Sequence, residues 1–149
     1  MQRYSIFILT LIFSGAVSFP VAQQSRIYTS PQTRFNEAKE FFQKEQYSLA
    51  YPLFKDLRNE LRTTDRSNNS ITYDEVKFYH IACGLQQNEI FAAEEGKNFV
   101  LLNYNPALTQ KLSFHLAEYY FRKNDMREAL NYYEQTGTEN LSNKQIAEM

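Results

Sequence analysis

Residues 115–135 read "HLAEYYFRKNDMREALNYYEQ", and this stretch decides the fold. An amphipathic piece ends in Tyr119, Tyr120 and Phe121, breaks at Asn124-Asp125, and resumes with Met126, Ala129, Leu130 and Tyr133. Asp125 followed by Glu128 has the form of a capping box, which starts a helix by satisfying its first free N–H groups. A helix that stops and restarts within four residues folds back on itself. Ala117 and Ala129 are small enough to let the two helices cross closely, and the aromatics beside them fill the remaining space.

Residues 38–54, "AKEFFQKEQYSLAYPLF", superpose on 117–133, "AEYYFRKNDMREALNYY". Ala38 falls on Ala117, Phe41 on Tyr120, Phe42 on Phe121, Tyr47 on Met126, Ala50 on Ala129 and Phe54 on Tyr133. Other starts follow the same logic. Ser30-Pro31 and Asn105-Pro106 each place a capping residue before a proline. Thr72 with Glu75 forms a box stapled by Ile71 and Val76, and Ser142 with Gln145 forms another flanked by Leu141 and Ile146. Leu53, Phe54, Leu57 and Leu61, with Ala50, make a helical apolar stripe, and Pro52 is read into the tolerant first turn of that helix. A third helix carries Val76, Phe78, Tyr79, Ile81, Ala82, Cys83 and Leu85. A fourth runs from about Ile90 to Asn103, with Gly96 costing about 1 kcal/mol unless a neighbouring helix comes close. No stretch alternates apolar and polar over strand length. The chain is therefore predicted to be all-α, with pairs at about 31–62, 72–104 and 106–137 and a further helix from 142.

This pattern resembles the tetratricopeptide repeat. The matched residues are its small position (Ala38, Ala117), first-helix aromatic (Phe41, Tyr120), turn aromatic (Tyr47), second-helix alanine (Ala50, Ala129) and second-helix aromatic (Phe54, Tyr133). In the middle pair Ile81-Ala82 and Leu85 match the first helix and Pro106 the closing proline. The second helix there is ambiguous around Ala92 and Ala93. The family's tryptophan is absent, and the polar insertion 62–72 follows the first pair. Spacings of 43 (Ala50 to Ala93) and 36 (Ala93 to Ala129) exceed the family's period of about 34. The resemblance covers residues 31–149. It implies a right-handed α-solenoid of about three repeats plus the start of a fourth. It also implies a groove lined by the first helices of each pair: Phe35, Lys39 and Phe42, then Tyr79, Cys83 and Gln86, then Phe114, Glu118, Phe121 and Arg122. Exported bacterial proteins of this type, Bacteroidota included, imply a periplasmic or envelope address.

Export also follows from the N-terminus. Arg3 precedes an uncharged run from Ile6 to Phe19, too short for a comfortable membrane span. Residues 1–22 are read as a signal peptide, with cleavage after Ser18 or Ala22, and 23–30 as an extended leader. Without Cys near the h-region, a lipid anchor is disfavoured. The alternative is an uncleaved anchor; after cleavage no span is expected.

The charge balance is −1, and −2 once Arg3 is removed, which gives no footing for nucleic acid. A lone cysteine excludes an internal disulfide. His80 and Cys83 lie one helical turn apart, with His115 as the one further imidazole; a small buried filler explains Cys83 better than a metal or a nucleophile does. Glu94-Glu95 and Asp125-Glu128 read as solvated or capping carboxylates rather than an acid–base pair. Asn68 and Asn140 begin N-x-S sequons, idle in a periplasm. Neither cofactor nor metal nor catalysis is expected.

The expected function is non-catalytic: a protein–protein scaffold or adaptor holding a partner segment in an aromatic groove. The competing reading of the same rings is packing between repeats. The alternatives are a glycan- or small-molecule-binding repeat protein, or the N-terminal part of a larger envelope protein with an effector domain beyond residue 149. Leu141, Ile146 and Met149 are expected on an open edge, where self-association is the other outcome.

Overall fold

The structure, a computed structural model, describes residues 30–63, 71–103 and 105–148. Residues 1–22, read above as a signal peptide, nearly all of the 23–30 stretch read as a leader, most of the 62–72 insertion and Met149 lie outside these residues. The described chain is all-helical, with no strand. The helices are α1 (Pro31–Gln43), α2 (Tyr47–Thr63), α3 (Tyr73–Gln87), α4 (Ala92–Leu102), α5 (Pro106–Arg122), α6 (Met126–Glu134) and α7 (Asn143–Glu148). A 3-10 turn, Thr138–Asn140, precedes α7.

Five of the seven starts among the described residues, those of α1, α3, α5, α6 and α7, are made by the predicted residue, while α4 begins at Ala92 without a side-chain cap. Ser30 Oγ accepts from the Thr33 N–H, Thr72 Oγ1 from Glu75, Asn105 Oδ1 from Ala107 and Leu108, and Asp125 Oδ1 from Glu128. Ser142 and Gln145 make the full reciprocal box: the Gln145 side chain accepts from the Ser142 N–H at 3.0 Å while its own N–H donates to Ser142 Oγ at 3.3 Å. Pro52 differs from expectation. Because α2 begins at Tyr47, Pro52 is its sixth residue and stands beyond the first turn. It lies exposed, and no N–H is available there for the carbonyl four residues back.

Three turns share one geometry. Glu45, Asn88 and Asn124 are the left-handed residues, at φ 58°, 59° and 61°. In each, the N–H of that residue donates to the carbonyl three back (Phe42, Leu85, Phe121), and the next N–H donates to the carbonyl five back (Phe41, Gly84, Tyr120). These paired bonds satisfy carbonyls that the helix end leaves free. Asparagine tolerates this conformation, whereas glutamate carries a steric cost of about 1 kcal/mol or more. The exposed Lys144–Glu45 ion pair offsets little of it. Glu45→Gly is therefore expected to raise stability by about 0.5–1 kcal/mol, read by urea denaturation. A loss of stability would mean that Glu45 does not hold this turn.

The helices pack in order, α1 on α2, α2 on α3, α3 on α4, α4 on α5, α5 on α6. In addition α3 touches both α1 and α5, so α1, α3 and α5 lie side by side, bridged by α2 and α4. Two cores result. Phe35, Ala38, Ala50, Phe54, Leu57 and Val76 fill the first; Phe78, Ile81, Leu85, Phe99, Leu112 and Leu116 fill the second. α3 feeds both, Val76 and Cys83 into one and Phe78, Ile81 and Leu85 into the other, which is why it is apolar on nearly every side. Gly96 sits where α4 meets α3 and α5: a Cβ there would lie 3.0 Å from Leu116 Cδ2 and 3.4 Å from Ile81 Cγ2. At the chain's far end Leu141 is half-buried and Ile146 is 42% exposed.

Candidate functional site

Counted back from the three left-handed residues, Phe35, Phe78 and Phe114 hold one position, and Ala38, Ile81 and Ala117 another. Gly84 stands where Phe41 and Tyr120 stand. In the middle pair the small and large residues are thus exchanged. Tyr79 and Gln86 sit one place beyond the true counterparts of Phe35 and Phe42, which are Phe78 and Leu85.

The ten groove candidates do not share one environment. Phe35 and Phe114 are core residues. The Phe35 ring meets Phe54 and Tyr79 edge-on at 6.0 and 5.8 Å. Lys39 extends over this pair, its Nζ 5.4 Å from the Phe35 ring centre and 5.7 Å from that of Tyr79. Phe42 is half-buried among three rings, Tyr47 at 5.4 Å, Tyr79 at 5.0 Å and His115 at 5.8 Å. Its counterpart Phe121 is 56% exposed. The same register does not give the same burial.

The remaining candidates form polar links between neighbouring helices. Gln86 Nε2 donates to Glu118 Oε2 at 3.3 Å, joining α3 to α5. That carboxylate oxygen also lies 3.5 Å from His115 Nδ1. Arg122 Nη2 donates to the Leu85 carbonyl at 3.0 Å and so caps the last turn of α3. Lys39, Phe42, Tyr79, Gln86, Glu118 and Arg122 thus tie α1, α3 and α5 together, with His115 and Tyr47 as members not assigned to the groove from sequence. No local signal marks His115: its ring lies against Phe42, 73 positions away. Burial, then the charges of Glu45 and Glu118, push the Tyr47 phenol up to about 12. Burial, then Glu75, does the same for Tyr79. Both stay protonated at neutral pH, so each keeps an O–H for donation.

Cys83 is fully buried, and burial pushes its thiol up to about 12. A nucleophilic thiolate has no support there. Among the described residues no three His, Cys, Asp or Glu side chains converge as metal ligands do.

A second cluster lies between α2, α3 and α4. Arg58 pairs with Glu95 through both guanidinium ends, one bond being Nη1 to Oε2 at 2.9 Å. The same Nη1 stands 3.0 Å from His80 Nδ1. A guanidinium only donates, so Nδ1 accepts and the proton of the neutral ring sits on Nε2. Tyr51 stacks on this imidazole at 4.7 Å and 21°. Burial, then Arg58, lowers the His80 pKa to about 4. Beside the cluster opens a cavity of about 180 Å³ that none of the groove candidates lines.

Among the described residues, no helix is long and apolar enough to cross a membrane. Compared with known protein families, curated proteins and solved structures, the chain finds no match.

Proposed function

We propose that this chain is a non-catalytic protein-interaction scaffold of the cell envelope. In this reading it is an α-solenoid of the tetratricopeptide type that holds a partner segment along the face shared by α1, α3 and α5. One observation supports it: α1, α3 and α5 lie side by side, each ending in a like left-handed turn, and Lys39 meets Tyr79, Gln86 meets Glu118 and Arg122 meets the Leu85 carbonyl between them. A preformed surface of alternating charge and aromatic edges binds an extended or helical segment without first having to order itself. Burial of the Cys83 thiol removes the one cysteine as a candidate nucleophile. The signal-like N-terminus and the family resemblance support the envelope address.

The test separates surface from core. Phe42 touches three rings, so Phe42→Ala loosens the fold and any binding with it. Lys39→Ser, Phe121→Ala and Arg122→Ser combined trim side chains that are half-buried or exposed. The chain from Gln23 is used as bait in envelope extract, the captured protein is purified, and its affinity is measured. The triple variant is expected to weaken binding at least about tenfold while Tm moves only a few degrees. A partner that binds the variant as tightly as the parent would place the site elsewhere.

A further inference from the structure

The cavity between α2, α3 and α4 has a chemistry of its own. At about 180 Å³ it is the size of one side chain. Tyr51, held flat against His80, makes one wall. Phe91 and Ile90, at the entry to α4, stand at its rim and are 77% and 85% exposed. Gly84 leaves room for the wall: a Cβ there would sit 3.5 Å from Tyr51 Cε2 and 3.0 Å from the Ala92 Cβ.

The ionisable lining is acidic. Glu89 and Glu95 face the cavity, and His80 is neutral: burial foremost, then the Arg58 charge, oppose a proton on the ring, and its Nδ1 accepts from Arg58. Of the two cations acting on His80, Arg58 and Lys55, Arg58 has both guanidinium ends on Glu95. Glu89 is exposed, and among the described ion pairs none includes it. The Tyr51 phenol registers this field: burial raises its pKa, and the charges of Glu89 and Glu95 raise it further. Aromatic faces beside an uncommitted carboxylate favour a cation with an apolar stem. A planar guanidinium suits them best, because it stacks on a ring and pairs with a carboxylate at once.

We propose that the cavity bounded by Tyr51, His80, Glu89, Phe91 and Glu95 receives a single arginine side chain of a partner protein. This site is independent of the face of α1, α3 and α5, so either holds if the other fails. It gives the chain a second point of grip, lined by none of the groove candidates.

The probe is N-acetyl-arginine amide, with N-acetyl-citrulline amide as its neutral isostere. Each is titrated into the full chain at low salt and followed by NMR. Saturable shifts are expected at Tyr51, His80, Glu89 and Phe91, with the arginine compound bound about fivefold tighter than the citrulline one. Glu89→Gln and Phe91→Ala, both at exposed positions, are each expected to weaken it about threefold with Tm unchanged. Equal binding of the neutral isostere would make the cavity merely apolar and overturn the proposal. So would the absence of saturable shifts at the cavity residues, or two variants that bind like the parent.

Discussion

Phe54→Ala is expected to cost the fold about 3–5 kcal/mol, the largest loss for any single side chain of the first core. Phe54 is fully buried. Its ring lies parallel to Tyr79 at 5.1 Å and 9°, with the edge of Phe35 against it at 6.0 Å. Those three rings come from α2, α3 and α1, so truncation empties the junction of three helices. The two rings packed against it, Phe35 and Tyr79, cannot fully collapse into the space, and the lost contacts are added to the lost transfer energy. Tyr133 supplies the contrast, since it follows Ala129 as Phe54 follows Ala50. It is half-buried and meets Phe114 at the looser distance of 6.2 Å. Tyr133→Ala is therefore expected to cost about 1–2 kcal/mol less than Phe54→Ala. Urea denaturation of the two variants beside the parent measures both. A Phe54→Ala loss below about 2 kcal/mol, or equal losses at the two positions, would contradict the packing of this core.

What the sequence discloses here is what neighbours in sequence decide. A cap joins residues three apart, so Ser30, Thr72, Asn105, Asp125 and Ser142 are legible without any tertiary information, and helix starts follow from them. Close approach is legible too where a glycine interrupts a helix, as at Gly96. The helical class follows from the same local rules. The middle pair is harder to read. Its exchange of Ile81 for alanine and Gly84 for an aromatic hides the register, and the left-handed residue that reveals it is Asn88, an ordinary surface asparagine in the sequence. Phe42 and Phe121 look alike in sequence, yet only Phe42 is enclosed by Tyr47, Tyr79 and His115. Their difference is made by neighbouring helices rather than by their own segment. Least legible is the cluster of Arg58, His80 and Glu95, whose members are 22 and 37 positions apart. Nothing local marks Arg58 as the donor that fixes a histidine tautomer. The cavity beside it depends on the same long-range meeting.

That cluster makes stability depend on acid in a defined window. Arg58 holds His80 neutral by donating to Nδ1. Burial foremost, then the charges of Arg58 and Lys55, oppose a proton on the ring, while Glu95 favours one; the folded pKa falls from 6.5 to about 4. Between these two values the unfolded chain carries the proton and the folded chain does not. The unfolded state binds more protons there, so stability declines as pH drops from about 6.5 to about 4 and this contribution levels off below that. The full difference is about 3 kcal/mol. His80→Gln is the informative variant, because its Oε1 still accepts from Arg58 but takes up no proton. Losing the Tyr51 stack shifts its stability by a roughly constant amount at every pH. Every ionisable group other than His80 is common to the two proteins, so their contributions largely cancel in the difference. Urea midpoints at pH 7, 6, 5 and 4 are therefore expected to converge on acidification, the parent losing stability faster than the variant. Parallel curves would mean that His80 gains its proton as readily in the fold as outside it. The Arg58 donation would then be absent, and with it the neutral wall assigned to the cavity.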